Sequence, residues 1–452
     1  MYMPTTVATL SESDLTACVE LALAHARQLG ASEAEVGVSV DTGLSVTARM
    51  REVETLEYHR DRGMGVTVYR SKRKGSASTA DLSAHAIRET VAKAYSIAGF
   101  TAEDPCAGLP EADTLARDIP DLNLNHPWDI EPDAARDLAV ACEAAALDVD
   151  PRISNSEGAT LSSHQGLRVF GNSLGFIAGY ASTMHSLSCA VLGQQGSDMQ
   201  RDYWYSSVRD YHDMESATSI GERAAKRTLE RLGGKQITTC VVPVLFVPEL
   251  ARGLIGSFLG AIRGGSQYRR ASFLLDSVGQ QLFPDWFSCS EHPHLLKALG
   301  SAPFDSEGVA TRDRTLVDKG VLTGYVLSTY SARKLGLKTT GNAGGVHNLL
   351  VAAGSVSGEH DMAALLRHMG RGLVVTELMG SGVNGVTGDY SRGAAGFWVE
   401  NGQLAYPVHE ITIAGNLKDM FRNMVAVGND TDVRGGIRTG SILLESMTVA
   451  GG

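Results

Sequence analysis

Residues 388–416 read GDYSRGAAGFWVENGQLAYPVHEITIAGN, and they decide between two architectures. Just upstream, Gly380-Ser381-Gly382-Val383-Asn384-Gly385 matches G-x-G-x-x-G after a strand-like run, Leu373–Leu378. A dinucleotide-binding fold needs a helix next, so that the helix N-terminus faces the pyrophosphate. The quoted stretch is too rich in glycine to supply one. Its later part, around Val408, Ile411 and Ile413, reads as a strand. The pattern therefore argues against a phosphate loop and for a β-rich segment.

Outward from this stretch, Cys240–Val247 predicts a buried strand and Pro248–Arg263 a helix. The remainder is mostly strands, turns and glycine, with one clear helix at Met362–His368. In the N-terminal direction, Leu15, Cys18, Val19, Ala22, Ala26 and Leu29 recur at helical spacing, with Ser13 and Gly30 as cap and stop. Strand-like runs follow at Glu35–Val40, Leu44–Met50, Val53–His59 and Gly65–Tyr69, and Asp41–Gly43 reads as a hairpin turn. Helices are predicted at Ser83–Ala98, Glu131–Leu147 and Ser216–Leu232, and strands across Ile153–Ser207. Phe100–Pro127 has the composition of a long connection, and Gly233-Gly234 marks a boundary.

Strands and helices do not alternate regularly, which favours α+β over a doubly wound parallel sheet. The expected organisation has three parts. Residues 1–110 form a sandwich-like α+β domain, 120–234 a central α+β segment packed on it, and 236–452 a large, mostly antiparallel β-rich domain.

The 452 residues are 43% apolar and 20% charged, ordinary for a soluble protein, and 50 glycines imply many turns. A net charge of −11 opposes direct nucleic-acid binding. The one compact basic run, Arg70–Lys74, reads as a solvated hairpin turn. Six scattered cysteines without a C-x-x-C pair point to a reducing compartment. The first residues show no signal-peptide pattern and no apolar run reaches membrane-spanning length, so the expected location is the cytoplasm.

Four further motifs bear on chemistry. Gly171-Asn172-Ser173-Leu174-Gly175 matches G-x-S-x-G, but a nucleophile elbow needs a following helix, and Phe176–Thr183 alternates like a strand. A hairpin turn through Asn172-Ser173 is predicted instead. Cys289, His292 and His294 have short metal-ligand spacing without a partner pair, and a solvated loop is expected. His347 in a glycine-rich run reads as a loop or core histidine. His409-Glu410 is the only His-Glu pair, and Ile413 and Ala414 stand where a helical zinc motif needs its second histidine.

The run GDYSRGAAGFWVENG (388–402), continued by AYPV (405–408), EITIAGNL (410–417) and VAVGND (425–430), resembles the hallmark segment of PmbA (TldE) subunits in the TldD/PmbA metallopeptidase, or modulator of DNA gyrase, family. Arg62–Ala77 and Phe170–Phe176 are similar to other parts of that family, so the resemblance covers essentially the whole chain. It implies a cytosolic two-subunit peptidase acting on unfolded or short peptides, in which a TldD-like partner carries His-Glu-x-x-x-His, a later cysteine and a zinc-type metal. On the corresponding helix here, Gly256, Ser257 and Ala261 replace the ligands, and no cysteine follows Cys289. The resemblance thus implies no catalytic residue, no metal and no cofactor in this chain, and inactivity alone.

Asn384, Asp389, Ser391 and Arg392 are the candidates for lining a shared peptide chamber; their other reading is to cap turns. The alternative function is a stand-alone scaffold, a homodimer acting on gyrase or toxin–antitoxin components. A hydrolase built on Ser173 is a third, weaker possibility.

Overall fold

The computed structural model describes residues 10–355 and 360–451. The signal-peptide reading therefore falls partly on residues 1–9, outside the described residues. The architecture is α+β and largely antiparallel.

The N-terminal part runs α1 (Glu12–Gln28), β1 (Glu33–Arg49), β2 (Glu52–Arg70), β3 (Arg73–Thr79), α2 (Ala84–Phe100), α3 (Pro132–Leu147), β4 (Ile153–Asn172), β5 (Ile177–Gln195), β6 (Asp198–Val208) and α4 (Ala217–Glu230). One six-stranded antiparallel sheet, ordered β3-β2-β1-β4-β5-β6, carries these helices. Alternate residues of β1 (Val36 and Val38, then Val46 and Ala48) are buried, as a sheet with one covered face requires. Leu15, Val19 and Val91 of α1 and α2 pack over one end of the sheet. Cys142, Ala146 and Ile220 of α3 and α4 pack over the other.

Two local readings are corrected. The N-cap of α1 is Ser11, not Ser13. Ser11 Oγ accepts from the Asp14 amide at 3.2 Å while the Asp14 carboxylate accepts from Ser11 N at 2.8 Å, a reciprocal box that Ser13, already inside the helix, does not make.

Asp41–Gly43 is not a turn. β1 passes through it unbroken, with Gly43 opposite His59 on β2 and His164 on β4. A Cβ on Gly43 would stand 2.5 Å from His164 Nδ1, so glycine marks a close approach between strands. The chain reverses instead at Met50 and Arg51, with φ of 52° and 65°. Neither residue favours the left-handed region. The fully buried Glu143 of α3 compensates, its carboxylate accepting from Met50 N at 2.9 Å and Arg51 N at 2.7 Å.

The C-terminal part begins with β7 (Cys240–Phe246), α5 (Pro248–Ile262) and α6 (Gly264–Tyr268). Then come β8 (Cys289–Glu291), β9 (Arg314–Asp318), β10 (Val321–Leu322), α7 (Thr329–Lys334), β11 (Leu349–Val351), β12 (Gly354–Ser355) and α8 (Met362–Met369). It ends with β13 (Gly372–Met379), β14 (Asp389–Glu400), β15 (Gln403–Asn416), α9 (Leu417–Arg422), β16 (Met424–Val427), β17 (Ile437–Arg438) and β18 (Ile442–Ala450).

β7 pairs with both β13 and β18, so β7, β13, β14, β15 and β18 close into a ring. A smaller sheet is ordered β10-β9-β8-β11-β17. Phe246, Phe258, Phe283, Phe287 and Phe421 fill the core between the ring, α5 and the small sheet. α6, α7 and α9, none longer than six residues, have no counterpart in the sequence reading, because so short an apolar period is not distinct.

Candidate functional site

α5 is the helix on which the sequence places Gly256, Ser257 and Ala261. It starts after β7 with Pro248 in its first turn, and its apolar residues Leu254, Ile255, Phe258 and Ile262 face the core. Gly253, Gly256, Ser257 and Gly260 lie on the more open side, and Ala261 is buried. Ser257 Oγ donates to Gly253 O at 3.1 Å, within its own helix. None of these side chains offers an imidazole or a carboxylate. Among the described residues no three His, Cys, Asp or Glu side chains gather as a metal would require.

At the C-terminal end of α5 a cavity of about 480 Å³ opens, reaching from Gly260 and Arg263 to Tyr268, Tyr330 and Asn342. Close backbone approaches shape it. Gly264 N donates to Val326 O at 2.9 Å, and a Cβ on Gly264 would collide with Ser331 of α7. Arg263 and Arg269 supply its charge, and both are exposed. The Arg269 guanidinium lies 5.3 Å from the Tyr268 ring centroid, and Tyr268 meets Tyr330 edge-on at 5.8 Å. Tyr330 Oη donates to Asp104 at 2.7 Å and holds that carboxyl down at about 2, which ties the long connection after α2 to the cavity wall.

Behind the wall stands a buried polar network. Glu291, 2% exposed, accepts from Arg314 Nε at 2.9 Å, Asn342 Nδ2 at 2.7 Å and His347 N at 2.6 Å. A buried carboxylate is tolerated because it is paired and hydrogen-bonded. Asp305 accepts from the amides of Glu307, Val309 and Ala343 at 2.8, 3.0 and 2.9 Å, and burial raises its pKa to about 7. Glu291 and Asp305 together fix the Gly341–Gly345 loop that closes the cavity. The sequence reading missed both.

The expected solvated loop at Cys289–His294 is corrected. Cys289–Glu291 forms β8 at the centre of the small sheet, with Cys289 and Glu291 facing the core. Burial pushes the Cys289 thiol up to about 12. On the opposite side, Ser290 Oγ lies 2.7 Å from His292 Nε2 and His292 Nδ1 lies 3.1 Å from Asp313. That is the connectivity of a Ser–His–Asp triad. However, β8 is paired on both sides, with Thr315 and Leu350 opposite Ser290, so its amides belong to the ladders rather than to an oxyanion hole. His294 meets Thr311 Oγ1 at 3.0 Å. His347 is largely enclosed; burial pushes its imidazole pKa down, and the charge of Glu291 opposes that shift.

Ser173 sits in the hairpin turn expected for it. Asn172 N donates to Phe176 O at 2.9 Å, and Ser173 Oγ accepts from Ala34 N at 3.0 Å. The four chamber candidates lie together after β13. Asn384 Oδ1 accepts from the amides of Val386 and Thr387 at 2.9 and 3.2 Å, and Asp389 accepts from Thr387 Oγ1 at 2.6 Å. Arg392 donates to Gly380 O at 2.7 Å, and Ser391 N to Gly382 O at 2.7 Å. Asn384, Asp389 and Ser391 are exposed, and most of these bonds shape the turn itself.

With this geometry in place, three family models of PmbA/TldA metallopeptidase domains match residues 34–98 (domain 1), 125–232 (central domain) and 239–451 (C-terminal domain). The chain is 54% identical over 418 residues to the metalloprotease PmbA of Escherichia coli O157:H7, covering 92% of each. It belongs to the PmbA/TldD metallopeptidase family. A PmbA homologue of Haemophilus influenzae is 50% identical over 440 residues, 97% of each chain.

Among solved structures of this fold, a Bacteroides thetaiotaomicron protein described as a candidate modulator of DNA gyrase superimposes with a TM-score of 0.92 at 28% identity, over 98% of this chain and 100% of that one. TldE of Thermococcus kodakarensis has the same fold, with a TM-score of 0.84 at 20% identity over 96% and 100% of the two chains. Among the described residues, no helix of this family member is long and apolar enough to cross a membrane.

Proposed function

We propose that this chain is the non-catalytic subunit of a TldD/PmbA-type peptidase and that the cavity at the end of α5 forms part of the wall of a peptide-binding chamber. The observation that carries this reading is the chemistry of α5: Gly256, Ser257 and Ala261 can neither bind a metal nor take a proton from water. The metal and general base then come from a TldD-like partner, which supplies a zinc-type centre. This chain contributes recognition. Arg263 and Arg269 suit a peptide carboxylate, Tyr268 and Tyr330 suit apolar side chains, and exposed backbone at Gly344 suits an extended, unfolded peptide. The setting is cytosolic.

The experiment is to purify this chain, its TldD-like partner and their mixture, then measure bound metal and cleavage of unfolded peptides. Cleavage by the mixture, with metal only in the partner, is expected. Metal-dependent cleavage by this chain alone refutes the reading.

A further inference from the structure

We propose that a cavity beside α9 binds a small apolar carboxylic acid, its carboxylate held by Lys418 and Arg422 and its tail laid on Phe273 and Phe421. The inference goes beyond the peptidase reading and does not depend on it.

The cavity measures about 200 Å³ and is separate from the one at the end of α5, with which it shares no lining residue. Its inner surface is apolar. Phe273 and Phe421 are buried, with ring centroids 6.2 Å apart, and the half-buried Leu275 and Leu282 complete it. An apolar cavity of about 150 Å³ is room enough for benzene, so this one takes a phenyl ring or a branched chain of similar size. The aromatic floor favours a flat tail.

The charge at the mouth selects the ligand. Lys418 and Arg422 line the cavity, both are exposed, and they stand four residues apart on one face of α9. Like charges at that spacing oppose each other unless an anion is shared between them. Among the described residues, neither side chain has a hydrogen bond or an ion pair. Neighbouring carboxylates do not neutralise them: Asp276 lies 3.5 Å from Arg270, and Asp419 pairs with neither cation. The other polar side chains of the lining are already engaged. Ser277 Oγ donates to Leu275 O at 3.1 Å, and Gln280 Nε2 donates to Asp276 O at 3.0 Å.

The ligand is therefore an anion at one end and apolar at the other, with the two ends one or two bonds apart. A carboxylate fits the ammonium of Lys418 and the fork of Arg422 together. Two sources share this chemistry, a free organic acid and the C-terminal residue of a peptide.

The test is calorimetric titration of the full chain with 3-phenylpropionate. A Kd of about 1 mM or tighter is expected, ordinary for a ligand of about eleven non-hydrogen atoms. The neutral 3-phenylpropanol binds about fivefold more weakly or worse, and acetate, which has no tail, does not bind measurably. Lys418→Met and Arg422→Met each weaken the acid about fourfold, and together about tenfold or more, at an unchanged Tm because both positions are exposed. The Lys418→Glu/Arg422→Glu chain loses the acid and gains 3-phenylpropylamine, a reversal that misfolding cannot produce. Tighter binding of N-acetylphenylalanine than of 3-phenylpropionate supports a peptide C-terminus as the source, and the opposite order supports a free acid. No binding by about 10 mM, equal affinity for acid and alcohol, or an acid indifferent to both methionine substitutions overturns the proposal.

Discussion

Replacing Glu143 tests how the edge hairpin is held. The turn at Met50–Arg51 puts two ordinary L-residues in the left-handed region, each costing about 1–2 kcal/mol relative to helical or extended backbone. Glu143 is fully buried and accepts from both turn amides. Hydrogen bonds to a charged group are worth about 1.5–3 kcal/mol each. Glu143→Ala removes both and strands two amides near the end of α3, so a loss of about 3–5 kcal/mol is expected, below the simple sum because water enters the space. Glu143→Gln keeps the shape and one acceptor, so about half that loss is expected.

Urea denaturation gives the global loss, and hydrogen exchange at residues 44–58 gives the local one. Met50→Asn with Arg51→Gly in the Glu143→Ala background supplies a sequence suited to the turn and is expected to recover about 1–2 kcal/mol. If Glu143→Ala stays within about 0.5 kcal/mol of the unmodified chain, or the Asn-Gly turn recovers nothing, the reasoning fails.

Three further outcomes are expected. Asp305 holds its proton up to about pH 7 when folded, against an ordinary 3.8. The folded state therefore binds more protons between those values, and stability falls as pH rises from about 4 to 7; Asp305→Asn flattens that part of a Tm-against-pH curve, and an unchanged slope contradicts the assignment. Ser173→Ala, which loses the bond from Ala34 N, lowers stability by about 1 kcal/mol and leaves peptide cleavage by the two-subunit complex intact; loss of cleavage without loss of stability would revive Ser173 as a nucleophile. Arg263→Ala and Arg269→Ala raise KM for peptides in the complex by about tenfold each with kcat nearly unchanged, and steady-state kinetics showing a kcat effect alone would remove them from binding.

Much of this fold was legible in the sequence where a strong period met a clear boundary. α5 is an apolar run opened by Pro248, α4 is capped by Ser216, and the hairpin at Asn172–Phe176 lies between two alternating strands. The misreadings have long-range causes. Asp41–Gly43 has local turn chemistry, but pairing on both sides keeps β1 straight, while the true reversal depends on Glu143, distant in sequence.

At the candidate site, α5 was found, and the cavity was not. Cys289 and Glu291 alternate with Ser290 and His292 as strand residues do, but a glutamate at a core position reads as solvated until Arg314 and Asn342 are seen to meet it. Likewise nothing near Gly264 announces that Ser331 will close on it.

The closed ring in the C-terminal part has a consequence for how the chain is made. Phe246 on β7 pairs with Ile442 on β18, so the first strand of the ring stays half-partnered until the last one has been synthesised. During translation β7 and the apolar face of α5 wait exposed, at risk of wrong pairing, because contacts so distant along the chain form slowly. A nascent chain halted before residue 442 is thus a ready client for a chaperone, and the cell's quality control sees the integrity of β18 before any substrate does.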